Sequence, residues 1–547
     1  MVEMHATAQP ETIGPQTGGA RAASRAIPLW VPLALGVPAF LPLVWAALRA
    51  WANGQVPTAF VQYDLAYYLA NARQHFAQGF HLTYGNPYAP YGTPAIYFQP
   101  HLLLLGLLQW LGLGPDLALI IFHVAAVGFA SIVAARLYQE WIGWRTAAEK
   151  LGFVCFFWGG GVLSLAGAAF GFFMHVPFTK AILQLDPGDG WWMLNFGRNL
   201  VYPTEAYYHG LFLLAILLLI RSRFSWTLAV AAVLAASHPF SGLSLLLVLV
   251  AYSVVELALG SGAASWLLLA GSCTVAAVHV GYYVVFLNRF ADHRALQMQW
   301  QLDWPYMFWT FVPALFLVGI LGFGPLTRWE GLSRLKQPRT RLCLVWFAVI
   351  FGLTQHDLVM PPRQPLHFAH GYDWMALFFL AAPGLLAALD KLCGIGSRIG
   401  RVAALAFFLA AFLSDNLLWF ASFADPSVQR YAIALTRDEK NVLEWLDSHA
   451  SAPAYVASTD QWINYLTPTY TNVRSWSGHD YNTPHVAERR AEVAAAFSGG
   501  KPVPTANPVY YVPSRTLPWA APSGSRLVYS NSSYDVWLFE RARAPGD

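Results

Sequence analysis

One carboxylate, Asp64, begins a segment in which polar and apolar side chains alternate with the period of a helix. The apolar residues at helical spacing are Leu65, Leu69, Ala72 and Phe76. The polar residues on the other face are Asp64, Tyr68, Asn71 and His75. A carboxylate presented on a polar face can take a proton from an incoming hydroxyl group, so we predict that Asp64 is a general base. Tyr68, one turn away, is predicted to bind substrate.

The elements that must position Asp64 follow from its neighbours in the chain. Residues 62–78 lie after a long apolar run but are too polar to cross a bilayer, so they predict a helix in the membrane interface. A loop follows, and its prolines forbid regular structure; these are Pro87, Pro90 and Pro94. The apolar run at 98–112 is shorter than the roughly 20 residues that one crossing requires. It predicts a second interfacial helix.

The composition predicts a membrane protein. Of 547 residues, 56% are hydrophobic and 11% are charged, whereas soluble domains carry about 25% charged residues. The net charge of +4 is small and scattered, which argues against a nucleic-acid partner. The cysteines are Cys155, Cys273, Cys343 and Cys393. They form no Cys-x-x-Cys pair and lie in or beside apolar segments, so they predict neither zinc nor a disulfide.

Long apolar runs predict about eleven transmembrane helices. The candidate segments are 27–48, 117–135, 151–170, 207–220, 224–237, 240–255, 266–287, 304–326, 342–353, 374–389 and 402–420. Residues 1–26 are polar and rich in Gly and Ala, and they predict a disordered tail. The transmembrane domain is therefore predicted to occupy residues 27–424.

The basic residues predict the orientation. Lysines and arginines concentrate in alternate connections, which the positive-inside rule places in the cytoplasm. They are Arg136, Arg145, Lys150, Arg221, Arg223, Arg328, Arg334, Lys336, Arg339, Arg341, Lys391, Arg398 and Arg401. The N-terminus is thus predicted to be cytoplasmic. Because the number of spans is odd, the C-terminal region is predicted to lie outside.

Residues 425–547 have the composition of a soluble domain. Residues 438–449 predict an amphipathic helix with Asp438 and Glu439 in its first turn. Short β-like runs follow at 454–458, 509–512 and 527–540, and the last is interrupted by a turn at 531–533. We therefore predict a small extracytoplasmic α/β domain.

Further polar residues lie at the predicted outer ends of the spans, where ionisable groups usually line a cavity or form pairs. The candidates for substrate binding are Arg198, Glu205, His209, His238, Arg363, His367 and His370. Each has a structural alternative. Asp64 could cap a helix or pair with Arg73, and Glu205 could pair with Arg198. His238 could cap the next helix or bond a backbone carbonyl, and Arg363 could be an interfacial cation.

These residue types suit an inverting glycosyl transfer. The base activates the acceptor, and cationic side chains stabilise the charge that grows on the phosphate as the bond to the sugar breaks. Arg363 and Arg198 are predicted to contact that phosphate through paired N–H groups. The histidines His356, His367 and His370 leave a zinc site open as an alternative, although their spacing does not complete one. We expect that no cofactor is required and that a divalent metal is the alternative.

The segment D-L-A-Y-Y-L-A-N-A-R-Q from Asp64 resembles the Asp-Glu-Ala-Tyr-Tyr-x-x-x-Ala-Arg segment of the GT-C superfamily of polyprenyl-phosphate-sugar-dependent glycosyltransferases. His238-Pro239 occupies the place of a Lys-Pro or His-Pro pair in many members, and 363–371 is similar to the Arg-rich approach to a late span. Residues 458–484 resemble the extracytoplasmic domain of bacterial members. Leu65 stands where the family usually has Glu.

The resemblance implies an enzyme of a bacterial plasma (inner) membrane in which Asp64 is catalytic. Its donor would be a polyprenyl-phosphate-linked sugar in the lipid, and its acceptor a glycan, a lipid or a protein. Two other functions stay open. A lipid or glycan transporter or flippase would also need polar groups in the membrane, but no internal repeat is evident. A non-catalytic scaffold is the other, and Leu65 is the residue that favours it.

Overall fold

The computed structural model describes residues 26–77, 79–260, 262–327, 333–425 and 432–541. Two compact units are present. The described residues of the first unit are 26–39, 125–281 and 303–425, and those of the second are 40–124, 282–302 and 432–541, apart from residues 78 and 261 and the stretch 328–332. The predicted tail, apart from residue 26, lies outside the described residues.

Most of the chain is helical, and eight helices in the described ranges are long and apolar enough to cross a membrane. They are Trp30–Ala52, Pro115–Trp141, Pro203–Ile220, Pro239–Ala258, Ala263–Arg289, Phe308–Leu326, Tyr372–Cys393 and Arg398–Ser422. A ninth is present if Ala147–Trp158 and Leu163–Phe173, bent by 58°, form one span. The prediction of a mostly α-helical chain with many spans is confirmed, whereas the number of about eleven is not.

The difference between the predicted and the observed number of spans lies in two short helices. Phe224–Ser237 has 14 residues and Pro338–Thr354 has 17, while one crossing takes about 20. Among the described residues, the other helices outside the spans are Asp64–Gln74, Pro100–Trp110, Phe178–Ala181, Phe196–Asn199, Ala291–Gln299, Arg437–His449, Gln461–Tyr470 and Val486–Gly499. Short 3₁₀ turns include Pro187–Gly190, His356–Leu358 and Pro365–Phe368.

In the first unit, a carboxylate stabilises the break between Ala147–Trp158 and Leu163–Phe173. The first N–H groups of a helix have no partner within the helix. Asp415 accepts hydrogen bonds from the backbone N–H groups of Gly161, at 2.7 Å, and Ser164, at 2.9 Å. Asp415 therefore caps the second half of the bent pair from the buried side of another apolar helix.

The second unit contains the β-structure. Strands β1 (Val56–Pro57) and β2 (Ala434–Leu435) pair antiparallel. The other strands are β3 (Tyr455–Ser458), β4 (Arg474–Ser475), β5 (Val509–Val512), β6 (Arg526–Ser530) and β7 (Asp535–Phe539). They form one sheet in the order β4-β3-β5-β7-β6, in which β3 runs parallel to β4 and β5, and β7 runs antiparallel to β5 and β6.

The strands and the amphipathic helix predicted after residue 425 are confirmed. Helix Arg437–His449 begins with a capping box between Thr436 and Glu439. Its buried Val442 and Leu446 belong to a core cluster with Val456 of β3 and Val512 of β5. The prediction of a soluble domain with boundaries at 425–547 stays a prediction.

The helix predicted around Asp64 extends over Asp64–Gln74. Leu65, Leu69 and Ala72 are fully buried, as the apolar face predicts. Asn71 and His75, however, are also fully buried. Protein therefore covers this part of the predicted polar face.

Packing on both sides of this helix explains the burial. Gln109, on helix Pro100–Trp110, donates through Nε2 to the carbonyl of Leu69 at 3.2 Å. Thr469, on helix Gln461–Tyr470, donates through Oγ1 to the carbonyl of Ala66 at 2.9 Å. The helix is thus enclosed by protein, and its first turn carries the partly exposed carboxylate of Asp64.

Candidate active site

Asp64 is held at the start of its helix by hydrogen bonds to the backbone around it. Its own N–H donates to Oε1 of Gln62 at 2.6 Å. The hydroxyl group of Tyr465 accepts from the N–H of Tyr67 at 3.2 Å and donates to the carbonyl of Tyr63. These contacts satisfy N–H groups that a helix start leaves open and fix the first turn. The carboxylate side chain is 39% exposed.

The closest ionisable partner of this carboxylate is His479. Its Nε2 lies 3.0 Å from Oδ1 of Asp64, although 415 residues separate them in the sequence. The imidazole is fully buried. Four tyrosine rings surround it, with centroids 4.8–5.9 Å away, and they belong to Tyr63, Tyr67, Tyr465 and Tyr88. His479 was not among the predicted site residues, because only the Gly-His-Asp-Tyr-Asn run around it marks it in the sequence.

The hydrogen-bond network determines the tautomer of His479. The backbone N–H of Tyr481 donates to Nδ1 at 3.0 Å. Since a backbone N–H can only donate, Nδ1 must carry its lone pair, and the ring proton is then on Nε2. His479 is accordingly assigned as a neutral imidazole that donates its Nε2–H to Asp64.

A tight loop presents this imidazole. The N–H of Thr483 donates to the carbonyl of His479 at 3.1 Å, and the N–H of Gly478 donates to Oγ1 of Thr483 at 3.3 Å. A Cβ atom at Gly478 would lie 2.6 Å from the ring of Tyr88. Only glycine therefore fits at this position without displacing the ring that packs beside His479.

The tyrosines of the site stay protonated at neutral pH. Burial raises the pKa of Tyr67 to about 12, and the nearby Asp64 carboxylate adds to the rise. Burial also raises the pKa values of Tyr63 and Tyr465 above their usual range. Their hydroxyl groups therefore act as neutral hydrogen-bonding groups beside the carboxylate. Tyr68, the predicted substrate-binding residue, is partly exposed one turn after Asp64.

The alternative in which Asp64 pairs with Arg73 is wrong. Arg73 forms its ion pair with Asp447, with Nη2 and Oδ1 2.9 Å apart, and its Nε donates to Asn472 at 2.9 Å. Asp64 is thus not the partner of Arg73. Leu65, at the position where the resemblance places Glu, is fully buried.

The first unit contains a second arrangement of a carboxylate with imidazoles, which we call the Glu205 cluster. It comprises Glu205, His209, His238, His367 and His370, all of them predicted substrate-binding residues. Oε2 of Glu205 lies 3.2 Å from Nδ1 of His370 and 3.7 Å from Nδ1 of His209. The Glu205 side chain is only 6% exposed.

His209 and His238 have structural partners within this cluster. His209 contacts the carbonyl of His370 through Nε2 at 2.8 Å, and its ring stacks on Tyr372 at 4.5 Å. Nδ1 of His238 accepts from the N–H of Ser241 at 3.2 Å and so caps helix Pro239–Ala258. The capping alternative is therefore the one that the geometry of His238 supports.

The loop before span Tyr372–Cys393 carries the other two histidines of the cluster. His367 and His370 are nearly parallel, with ring centroids 5.4 Å apart. His370 has a φ of 34°, in a region that a non-glycine residue rarely adopts. Burial holds the pKa of His367 well below its usual range, and the neighbouring histidines act in the same direction. His367 is therefore neutral at physiological pH.

Arg198 is not available to a phosphate. Its side chain is 1% exposed and forms an ion pair with Asp186. Nε donates to Asn416 at 3.1 Å, and Nη2 donates to the carbonyl of Asp415 at 2.8 Å. The predicted phosphate contact at Arg198 is therefore wrong, because protein groups occupy its guanidinium. The alternative in which Glu205 pairs with Arg198 is also wrong.

Arg363, by contrast, is exposed. It ends a loop whose base is closed by His356, which accepts from the N–H of Arg363 at 2.9 Å through Nε2. The other ring nitrogen of His356 contacts the carbonyl of Leu353 at 2.7 Å. Within the described ranges, no group of three or more His, Cys, Asp or Glu residues is placed to hold a metal ion. The structure thus gives His356 a role in the loop and not in a three-histidine site.

Comparison with known proteins gave matches among solved structures. No protein-family model matches the chain, and no curated protein matches its sequence. ArnT from Cupriavidus metallidurans is 14% identical, with 93% of this chain and 97% of that chain covered and a TM-score of 0.48. The oligosaccharyltransferase AglB from Archaeoglobus fulgidus is 12% identical, with 89% of this chain and 69% of that chain covered and a TM-score of 0.46.

The arabinofuranosyltransferase AftD from Mycobacteria is 12% identical, with 95% of this chain and 42% of that chain covered and a TM-score of 0.42. These three proteins are GT-C glycosyltransferases, the superfamily that the Asp64 segment resembles.

Proposed function

We propose that the protein is a membrane glycosyltransferase that moves a sugar from a polyprenyl-phosphate donor to a hydroxyl group of an acceptor glycan, lipid or protein, with Asp64 as the general base. The observation that carries the proposal is the partly exposed Asp64 carboxylate, fixed by a buried neutral imidazole on a chain with eight candidate spans. A base in this setting is accessible to a substrate and held in one orientation.

The proposed step balances as an inverting displacement. A hydroxyl acceptor loses its proton to the Asp64 carboxylate while its oxygen forms a bond to the anomeric carbon of the sugar. The bond between that carbon and the phosphate oxygen breaks, and the lipid phosphate leaves with the electron pair. The products are the glycoside, the polyprenyl phosphate and a protonated Asp64, which returns its proton to water.

Asp64 and His479 differ in which of them can meet a substrate. The Asp64 side chain is 39% exposed, whereas His479 is fully buried. In addition, the Nε2 atom that faces Asp64 carries a proton and cannot accept another. The carboxylate is therefore the group that we assign to contact the acceptor.

We propose that Arg363 contacts the donor phosphate. It is exposed, and it follows two prolines in a loop whose base His356 closes. A guanidinium group can present two parallel N–H donors to phosphate oxygens. Glu205, His209, His238, His367 and His370 remain proposed substrate-binding residues. Among them, only His367 and His370 lie in the same loop as Arg363.

The residues around Asp64 do not match the donor set of a divalent metal. Such ions prefer several carboxylate oxygens, but Leu65 replaces the second acid, and the assigned tautomer of His479 presents an N–H where a ligand needs a lone pair. The transfer is accordingly proposed to use the residues of the chain alone.

The protein is proposed to lie in a bacterial inner membrane with a cytoplasmic N-terminus and an extracytoplasmic C-terminal domain. The asymmetry of lysines and arginines among the connections supports this orientation. A reporter that is active only after export, fused at the C-terminus, should be active. Activity of a cytoplasmic reporter at the same position would reverse the orientation.

The function is tested with purified protein in detergent or vesicles that contain lipid-linked sugars. The copurifying lipid, identified by mass spectrometry, supplies the donor class. We expect the wild type to release polyprenyl phosphate and Asp64→Asn to release it far more slowly. Equal release by both proteins would refute Asp64 as the base, and movement of intact lipid-linked sugar across the bilayer without release would identify a transporter.

A further inference from the structure

We propose that His479 is a positioning residue for Asp64: its Nε2–H holds Oδ1 and leaves Oδ2 to receive the proton of the acceptor. This inference rests on the proposed function. The contact is 3.0 Å long and joins the loop around His479 to the first turn of helix Asp64–Gln74. The described contact of Oδ2 is with Nε2 of Gln62 at 3.4 Å, a long hydrogen bond.

Compared with a Ser-His-Asp triad, the histidine and the aspartate exchange roles in this arrangement. In such a triad, a buried aspartate orients the histidine that exchanges protons with the substrate. Here the imidazole is fully buried, and the carboxylate is 39% exposed. In this arrangement His479 orients the carboxylate, and Asp64 takes the proton from the acceptor.

The surroundings of His479 preserve one tautomer and one ring orientation. Tyr481 contributes the N–H that Nδ1 accepts, at 3.0 Å. The amide nitrogen Nδ2 of Asn482 lies 3.3 Å from both Nδ1 and Nε2, so the N–H of Tyr481 is the contact that selects the tautomer. The four tyrosine rings restrict rotation of the imidazole. The contact with Tyr481 would be lost if the ring turned over.

A neutral donor has a specific advantage over a cation at this position. A lysine or arginine paired with Asp64 would stabilise the charged carboxylate strongly and would compete with the acceptor for its oxygens. An imidazole N–H fixes one oxygen only and adds no charge. The carboxylate is thereby aligned and keeps a second oxygen for the proton that it must take.

Two substitutions separate the two hydrogen bonds of the imidazole. In His479→Gln, the side-chain amide nitrogen can reach the place of Nε2 and donate to Asp64. In His479→Asn, the shorter amide can accept from the N–H of Tyr481 but cannot reach Asp64. Both remove the ring, so that the Asn variant is a matched control for the loss of its packing.

We expect His479→Gln to keep kcat within about threefold of wild type, whereas His479→Asn lowers kcat by about 10- to 100-fold, the usual effect of losing one hydrogen bond to a charged group. KM for the donor should change little in both. Rates are normalised to folded protein, and the two melting temperatures should be similar. Equal kcat in the two variants, at any level, would overturn the positioning role.

If His479→Asn does not fold, the protonation of the His479 ring can be measured by NMR spectroscopy instead. Protein with ¹⁵N-labelled histidine should show, in the difference between wild type and His479→Gln, one protonated and one unprotonated ring nitrogen. Two protonated nitrogens would indicate an imidazolium and overturn the inference. The result is distinct from failure of the proposed function, which would appear as undiminished transfer by Asp64→Asn.

Discussion

Each unit of the molecule places a carboxylate beside imidazoles, but the two arrangements differ in which group is accessible. In the second unit, Asp64 is 39% exposed, and His479 is fully buried. In the first unit, Glu205 is 6% exposed, and its partners His370 and His209 are 8% and 0% exposed. The same two functional groups thus occur in a partly exposed pair and in a buried cluster, and the accessibility of the carboxylate distinguishes the two arrangements.

The positions in the fold account for this difference. Glu205 lies in the first turn of span Pro203–Ile220, where a charge must be paired because burial of an unpaired carboxylate is costly. Asp64 lies on a short helix of 11 residues that no span contains. Its carboxylate keeps contact with solvent and needs only a single buried donor for orientation.

The largest effect is expected from the exposed carboxylate. Asp64→Asn retains size and much of the hydrogen bonding but cannot act as a base, so that transfer should fall by about 10²–10⁴-fold. Thermal stability in detergent should stay close to wild type. The measurement is release of lipid phosphate per folded molecule, followed with a radiolabelled or fluorescent donor.

Glu205→Gln is the matched change in the other arrangement. It should lower the free energy of unfolding by about 1–3 kcal/mol, because the buried carboxylate is replaced by an amide that interacts more weakly with Nδ1 of His370, 3.2 Å away. Its transfer rate per folded molecule should fall far less than that of Asp64→Asn. If Glu205→Gln instead stopped transfer without loss of stability, the Glu205 cluster would contain the reactive carboxylate, and the comparison would be reversed.

Substitutions of the two arginines predicted to bind phosphate should differ in their effects on stability and on transfer. Arg198→Ala leaves Asp186 buried without its cation, and removal of one member of a buried ion pair costs about 3–5 kcal/mol. We expect a large decrease in folded yield and melting temperature. Normal stability of Arg198→Ala would mean that its ion pair is dispensable and would return Arg198 to the list of ligand contacts.

Arg363→Ala should show the opposite pattern. As an exposed residue, Arg363 should contribute little to stability. If it contacts the donor phosphate, its loss should reduce transition-state stabilisation by about 2–4 kcal/mol, measured as kcat/KM. Arg363→Lys, which keeps the charge but not the paired N–H groups, should recover only part of the rate. Full activity of both variants would exclude Arg363 from the phosphate contact.

Local patterns in the sequence predict local structure well in this chain. The helix at Asp64–Gln74 and the strands Tyr455–Ser458 and Val509–Val512 follow from periodicity over a few residues. The helix of residues Arg437–His449 likewise follows from an amphipathic pattern and its first-turn acids.

The contacts that the sequence did not predict join residues that are far apart in the chain. His479 meets Asp64 across 415 residues, and Thr469 covers the Asp64 helix across 403 residues. No periodicity in either segment identifies its partner. Arg198 illustrates the same limit at short range, because Asp186, only 12 residues away, is separated from it by a 3₁₀ turn that redirects the chain.

The smallest effect is expected from Arg73, the residue that the sequence predicts as an alternative ion-pair partner of Asp64. Arg73 pairs with Asp447, and their side chains are 20% and 45% exposed. An ion pair with this exposure contributes about 1 kcal/mol or less, because water and salt screen it. Arg73→Gln, Asp447→Asn and the double variant form a thermodynamic cycle in thermal unfolding. The coupling between the two positions should lie within that limit and decrease at high salt, while transfer by all three variants should stay near wild type. A fall in transfer as large as that of Asp64→Asn would mean that Arg73 acts on the carboxylate after all, and that the buried imidazole is not its principal partner.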